Sequence, residues 1–340
     1  MRLATIGDRY VAYLVEQSIL IPASSLVIYL LGAKPLLLGF FFAFKLNFQG
    51  GLSLVFTTSA GWFNLAVFYL ISLLYYTLES VSGIGIGSKI FGFRIVTKYE
   101  HPSNQMFIFY TLRNLVKSFF ISNIVNALFV LAFRHDMQTL LDHRLNIILA
   151  SKNDDLSKTF RKGTYSSMIM YYSSFILMTI TFALENSGVS SSPASYGSSS
   201  GINVYSLFYT ILTNNLSLDV TGYMLGGLSI LLGTFVRLFI SNILDTLVIS
   251  SVFNPQELPN FAHYVLPEFF PETMGYVFGI AAAISITNIF IYFIQALIRN
   301  EKREYFFSMS KIQLKNLAYF SGLSVILIVV GAVIESLLGT

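Results

Sequence analysis

The chain contains no cysteine, which removes disulfides, thiolate metal sites and cysteine nucleophiles from its chemistry. Histidine is scarce: His101, His135, His143 and His263 are too scattered to form a ligand pattern such as HExxH. Charge is scarce as well. Only 11% of the 340 residues are Asp, Glu, Lys or Arg, where a soluble domain carries about a quarter. A low charge fraction spread over the whole length argues against a soluble globular class. The first apolar run lacks the short core and AxA-like site of a cleavable signal, so it is expected to stay as the first membrane helix. Nor is there an internal repeat, so the inverted halves common in secondary transporters are not indicated.

What the chain does have is apolar and aromatic. Hydrophobic residues make up 54%, with 32 Phe and 20 Tyr, and the mean hydropathy is +0.67. This composition predicts an all-α, polytopic helical membrane protein with about seven transmembrane helices plus a short helical hairpin. The net charge of +4 does not point to nucleic acid. The basic residues lie between apolar runs, as the positive-inside rule requires of cytoplasmic loops.

Taken in order, spans are expected at 10–31, where Pro22 interrupts the run, and at 62–79, which opens on Trp62. The segment 83–105 is basic and should be cytoplasmic. The apolar run 106–133 is flanked by basic residues on both sides, so it reads as a hairpin or an interface-lying amphipathic helix. Residues 151–163 (SKNDDLSKTFRKG) read as a cytoplasmic linker between a first membrane unit, 1–150, and a second, 164–340. In the second unit a span at 167–184 leads to a Ser/Gly-rich outer loop, 186–203. An interfacial helix at 204–216 and a tight hairpin over 220–253, turning near Arg237, come next. The Pro- and Glu-rich 254–272 reads as an outer loop, followed by spans at 273–298 and 317–338. The expected setting is the cell membrane, with the N-terminus cytoplasmic.

Residues 4–149 resemble the RDD family of membrane domains. The residues that carry the likeness are Arg9, Gly87-x-Lys89-x-x-Gly92 with Arg94-Ile95-Val96, Arg113, and Gln138-x-x-x-Asp142. The family's first aspartate appears here as Glu16. Residues 204–298 are similar to the stage II sporulation protein M-like family through Asn215-Leu216, Gly226-Gly227, Gly233, Asn242 and Pro267–Glu272. The His and Gly of that family's loop motif are replaced by Glu268 and Phe269. The first resemblance implies a small membrane domain, with sodium/proton antiport attributed to some members. The second implies a membrane part of an assembly whose chemistry resides on partner proteins.

Ionisable groups inside a membrane are costly and normally pair or line a pathway. Arg9 and Glu16, seven apart, share a helix face and, with Arg113 and Asp142, form a candidate polar membrane cluster. One reading has them bind or pass a monovalent cation or proton. The other has Arg9 at the headgroups and Glu16 paired with Arg9 or Arg113, holding the hairpin. Lys89 and Arg94 are candidate interface or lipid contacts. GIGIGSKIFG lacks the order of a phosphate loop and reads as a turn. In the second unit the polar residues are Arg237, Asn242, Asp245, Glu268 and Glu272, with an Arg237–Asp245 ion pair expected. No nucleophile, metal set or acid–base constellation assembles, so no enzyme activity, metal or cofactor is expected. The chain reads as a non-catalytic scaffold or accessory subunit contacting the lipid bilayer and other membrane proteins. The alternative is a secondary transporter or cation/proton antiporter using Glu16 and Asp142.

Overall fold

The computed structural model describes residues 2–37, 53, 55–82, 85–97, 103–118, 142, 147–151, 156–186, 203–229, 231–249, 259, 261–298 and 303–338. The fold is helical. Five helices are long and apolar enough to cross a membrane: α1 (Ile6–Leu30), α2 (Ser59–Ser82), α5 (Leu156–Asn186), α8 (Leu266–Ile298) and α9 (Arg303–Leu338). Shorter helices are α3 (Ile86–Phe91), α4 (Ser103–Lys117), α6 (Val204–Ser217) and α7 (Leu232–Ile249). Three short strands, β1 (Arg2–Leu3), β2 (Arg94–Thr97) and β3 (Ile147–Ser151), form an antiparallel sheet in the order β1-β3-β2. The helical architecture is the expected one, and this small sheet, which joins Arg2 to Ser151 and Arg94 to Ala150, adds to it.

Helix α1 is central. Thr5 caps it by accepting a hydrogen bond from the Asp8 N–H (3.2 Å), and Asp8 in the first turn complements the helix dipole. The helix runs through Pro22, and its polar side chains are satisfied locally: Ser24 and Ser25 donate to the carbonyls of Leu20 and Ile21. Of its apolar window 78% is buried, against 22% for α2, so α1 is wrapped by protein while α2 keeps a broad outer face. Trp62 is exposed in the first turn of α2, where an interfacial anchor belongs.

Contacts to α1 come from both halves of the chain. Gln17 donates to the Tyr76 hydroxyl of α2 (2.8 Å), and the Tyr29 hydroxyl donates to the Leu184 carbonyl of α5 (2.6 Å). Thr5 lies 3.3 Å from the Tyr292 hydroxyl of α8. One apolar core accordingly joins Val11, Leu14, Tyr76 and Phe91 to Met170, Phe239, Ile280 and Ile328. Helices α8 and α9 form a long pair, tied by the Ser324 hydroxyl to the Gly275 carbonyl (2.8 Å).

Several boundaries differ from expectation. The linker is shorter: 156–163 forms the first turns of α5, while 152–155 lie outside the described residues. Pro267, Glu268, Pro271 and Glu272 are not in a loop. A π-helical turn, Phe261–Val265, leads directly into α8, and Pro267 sits in the first turn, where a missing N–H costs little. The 220–253 hairpin does not turn at Arg237. The break comes earlier, as a π-helical stretch (Leu218–Met224) and a 3-10 stretch (Leu225–Ser229), and Leu231 has a left-handed φ of 63°. Gly227 at this break approaches α8 so closely that a Cβ would lie 2.6 Å from the Ala283 carbonyl oxygen. Helix α4 covers the amphipathic first part of 106–133; the rest of that run, 119–133, and most of the Ser/Gly tract lie outside the described residues.

Candidate functional site

The first-unit polar cluster is present, and its pairing is different from that expected. Asp142, 2% exposed, accepts a hydrogen bond from Arg113 Nε at 2.6 Å and has Arg9 Nη1 at 3.9 Å. Glu16 pairs with neither arginine. Its partner is Lys117, whose Nζ lies 3.7 Å from Glu16 Oε2 and 3.0 Å from Glu79 Oε2. Lys117 also sits over the Tyr76 ring, 3.9 Å from its centroid. Neither Glu79 nor Lys117 was singled out by sequence reasoning as a site residue. Lys117 lies within the apolar run 106–133, and Glu79 closes the span expected at 62–79.

Local structure explains why the acids meet here. Gly85 caps α3, with Ser88 closing the turn onto the Gly85 N–H (3.0 Å). A Cβ on Gly85 would lie 2.0 Å from Glu79 Oε1, and one on Gly87 would lie 2.7 Å from Glu16 Oε1. The Gly87 N–H donates to Glu16 Oε1 at 3.2 Å. The glycines of GIGIGS thus let two carboxylates approach the backbone, a closer account than a plain turn. Gly87→Ala is expected to destabilise the fold by about 1–3 kcal/mol, because the Ala12 carbonyl oxygen, 2.8 Å from the new Cβ, is backbone and yields little. Thermal unfolding in mild detergent measures this; an unchanged midpoint would show that α3 moves freely off α1.

The charges form two opposite triads. Arg9–Asp142–Arg113 carries one positive charge in excess, and Glu16–Lys117–Glu79 one negative. Arg113 links them: buried between the two triads, it bonds Asp142 at 2.6 Å and is also attracted by Glu79. Asn114 adds neutral clamps, donating to the Tyr76 carbonyl (2.9 Å) and the Ser80 hydroxyl (3.0 Å). A third pair, Asp8–Lys162 at 3.7 Å, joins α1 to α5. Asp8 and Lys162 line a cavity of about 10 Å³, with Asn288 and Gln313, room for one water. Lys89 is exposed on α3, and Arg94 lies in β2.

In the second unit Arg237 and Asp245 are not within ion-pair distance among the described residues. Asp245 instead accepts a hydrogen bond from the Tyr171 hydroxyl at 2.8 Å. Asn242 donates to the Tyr171 carbonyl (3.2 Å) and to Ser174, fixing α7 on α5. Glu272 accepts from the Tyr276 hydroxyl at 2.5 Å, on the helix that Glu268 opens. Asp219, which sequence reasoning also passed over, is fully buried in the π-helical stretch, held by the Ser324 hydroxyl at 2.6 Å. Its signal in the sequence was a carboxylate just ahead of a Gly-rich break. Among the described residues no group of three or more His, Asp or Glu has the arrangement to hold a metal ion.

Comparison with family models, with curated proteins and with solved structures finds no match for this chain. The site must therefore be read from its own chemistry. Four buried carboxylates (Asp8, Glu16, Glu79, Asp142) face four cations (Arg9, Arg113, Lys117, Lys162) across helix interfaces. Such a balanced set fastens helices to one another, because each charge that stays in place needs its counterpart.

Proposed function

We propose that the chain is a non-catalytic multi-pass membrane protein, a scaffold or accessory subunit of a membrane assembly. The observation that carries this reading is the four-against-four balance of the first-unit cluster taken with Lys162 of α5. Charges that serve a substrate leave one sign available, whereas here each carboxylate has a cation between helices. The likenesses of 4–149 to RDD domains and of 204–298 to stage II sporulation protein M-like domains belong to the same reading. So does a count of about seven spans plus a short helical hairpin. The location in this reading is the cell membrane with the N-terminus cytoplasmic. Purification through an affinity tag in mild detergent, followed by native mass spectrometry, is expected to show a companion protein at fixed stoichiometry. Recovery of the chain alone with its lipids would overturn the proposal.

One observation favours the antiporter alternative. Glu16 and Glu79 share Lys117, so that triad by itself has a carboxylate to spare. This reading expects sodium movement driven by a pH gradient in proteoliposomes, lost in Glu16→Gln. Equal flux in that variant would remove Glu16 from any pathway.

A further inference from the structure

Asp219 differs from the first-unit carboxylates in having no cation beside it. It is fully buried in the π-helical stretch Leu218–Met224, and among the described residues no Lys, Arg or His nitrogen lies within ion-pair distance. Its neighbours are neutral. Oδ2 lies 2.6 Å from the Ser324 hydroxyl of α9, and Oδ1 rests on the α-carbon of Gly279 in α8, where a Cβ would overlap it. Oδ1 has no hydrogen-bond partner among the described residues. An ionised carboxylate in such a place is costly, and a buried acid without a cation takes up a proton instead.

The hydrogen bonds of Ser324 show where that proton sits. Its Oγ is 2.6 Å from Asp219 Oδ2 and 2.8 Å from the Gly275 carbonyl oxygen. A serine hydroxyl has one proton to give, and a peptide carbonyl can only accept. With Asp219 ionised, that single proton would serve two acceptors, and one close oxygen–oxygen contact would lack a hydrogen. With a proton on Oδ2 both contacts are made: Asp219 donates to Ser324, and Ser324 donates to Gly275. Both separations are ordinary for O–H···O bonds.

The surrounding elements carry few titratable groups. Tyr223, on the same stretch, feels the charge of Asp219 and reaches Ser241. Helix α6 has no Asp, Glu, Lys, Arg or His. Helix α7 brings Arg237, whose side chain lies over Gly222, and Asp245, bonded to Tyr171. Helix α8 brings Glu272, bonded to Tyr276. On α9 the charges nearest in sequence, Lys315 and Glu335, stand more than two turns from Ser324.

We infer that Asp219 is a proton-binding site, and that its proton fastens the π-helical break to the α8–α9 pair through Ser324. Single π-helical turns concentrate at functional sites. The break is also held to α8 by Thr287 Oγ1, which donates to the Gly227 carbonyl (2.8 Å), a bond that pH does not touch. The Asp219 bond is the one that an alkaline medium undoes. The folded chain keeps this proton and the unfolded chain releases it at neutral pH, so the stability it gives is present at low pH and lost as pH rises. The site is independent of the first-unit triads and of any companion protein.

Infrared spectroscopy of the intact chain in lipid nanodiscs tests this, because a protonated carboxyl group has a carbonyl stretch clear of the amide bands. At neutral pH the parent is expected to show that stretch, moved slightly in heavy water, and Asp219→Asn to lose it. Glu304→Gln, an exposed carboxylate at the start of α9, should keep it. Ser324→Ala removes the acceptor and should shift the band without abolishing it; that variant decides the matter if Asp219→Asn fails to fold. In detergent, the parent's unfolding midpoint should fall more steeply with rising pH than that of Asp219→Asn, whose amide donates at every pH. The proposal is overturned if Asp219→Asn keeps the whole protonated band, or loses an ionised-carboxylate band in its place. An unshifted band in Ser324→Ala, or equal pH dependence of the two midpoints, would do the same.

Discussion

Replacing Lys117 by methionine is expected to give the largest loss of stability of any single charge change in the first unit. The side chain keeps its length and much of its packing on Tyr76, but Glu16 and Glu79 lose their shared cation together. Breaking a buried pair costs about 3–5 kcal/mol, because the remaining charge is left uncompensated. Lys117 is 21% exposed, which places the effect toward the lower end for each acid. Two acids are affected at once, so the sum should still be conspicuous in an unfolding curve recorded in detergent. The triple variant Glu16→Gln, Glu79→Gln, Lys117→Met carries no charge in this triad and should recover most of the loss. A single Lys117→Met protein that unfolds at the parent midpoint would show that the two carboxylates hold a proton between them and do not depend on the lysine.

Arg113→Ala should come next. It removes the 2.6 Å contact from Asp142, leaving Arg9 at 3.9 Å as the remaining described ion-pair partner, and the expected cost is again about 3–5 kcal/mol. The electrostatic contact to Glu79 goes with it, so the two triads lose their link. Arg113→Lys should rescue only in part, since the bond is made by the guanidinium Nε and a point ammonium cannot reproduce that fork. A double-mutant cycle with Asp142→Ala isolates the pair, with a coupling of about 1–3 kcal/mol expected. Strict additivity would mean that the two residues touch without depending on one another.

The long apolar runs showed the membrane helices plainly, because a span has to be apolar over a length set by the bilayer. Their ends were less visible. Helices α5 and α9 extend beyond the apolar window through polar turns that hydropathy reads as loop, as at Lys158, Arg161 and Lys162, or at Arg303 and Glu304. Pro267 and Pro271 looked like loop residues, but Pro267 stands in the first turn of α8, where a helix gives up few bonds, and Pro271 lies inside the helix, which continues through one missing N–H. Arg9, Arg113 and Asp142 were found by their charge in apolar surroundings, and the structure brings them together. Which cation meets which acid was not legible. Pairing depends on how α1, α2 and α4 are rotated, and neither spacing nor composition encodes that. The same holds for Arg237 and Asp245, eight apart on one helix: a shared face gave no contact, because eight residues rise about 12 Å along the axis, and Asp245 accepts from Tyr171 of a neighbouring helix instead.

The enclosure of α1 carries a consequence for how the molecule is made. During synthesis this helix leaves the ribosome before the helices α2, α4, α5 and α8 that pack on it, and domains generally fold as units in the order of synthesis. Its Asp8 waits for Lys162, its Thr5 for Tyr292, and its Arg9 and Glu16 for partners some distance along the chain. Until then a helix with three ionisable groups lies in the bilayer or at the translocon with those groups uncompensated. Biogenesis of this protein is therefore a holding operation, in which α1 is retained unfinished while the later helices arrive. A chain halted after its first unit would lack Lys162, and so would present Asp8 without that cation to the machinery that inspects membrane proteins for exposed charge.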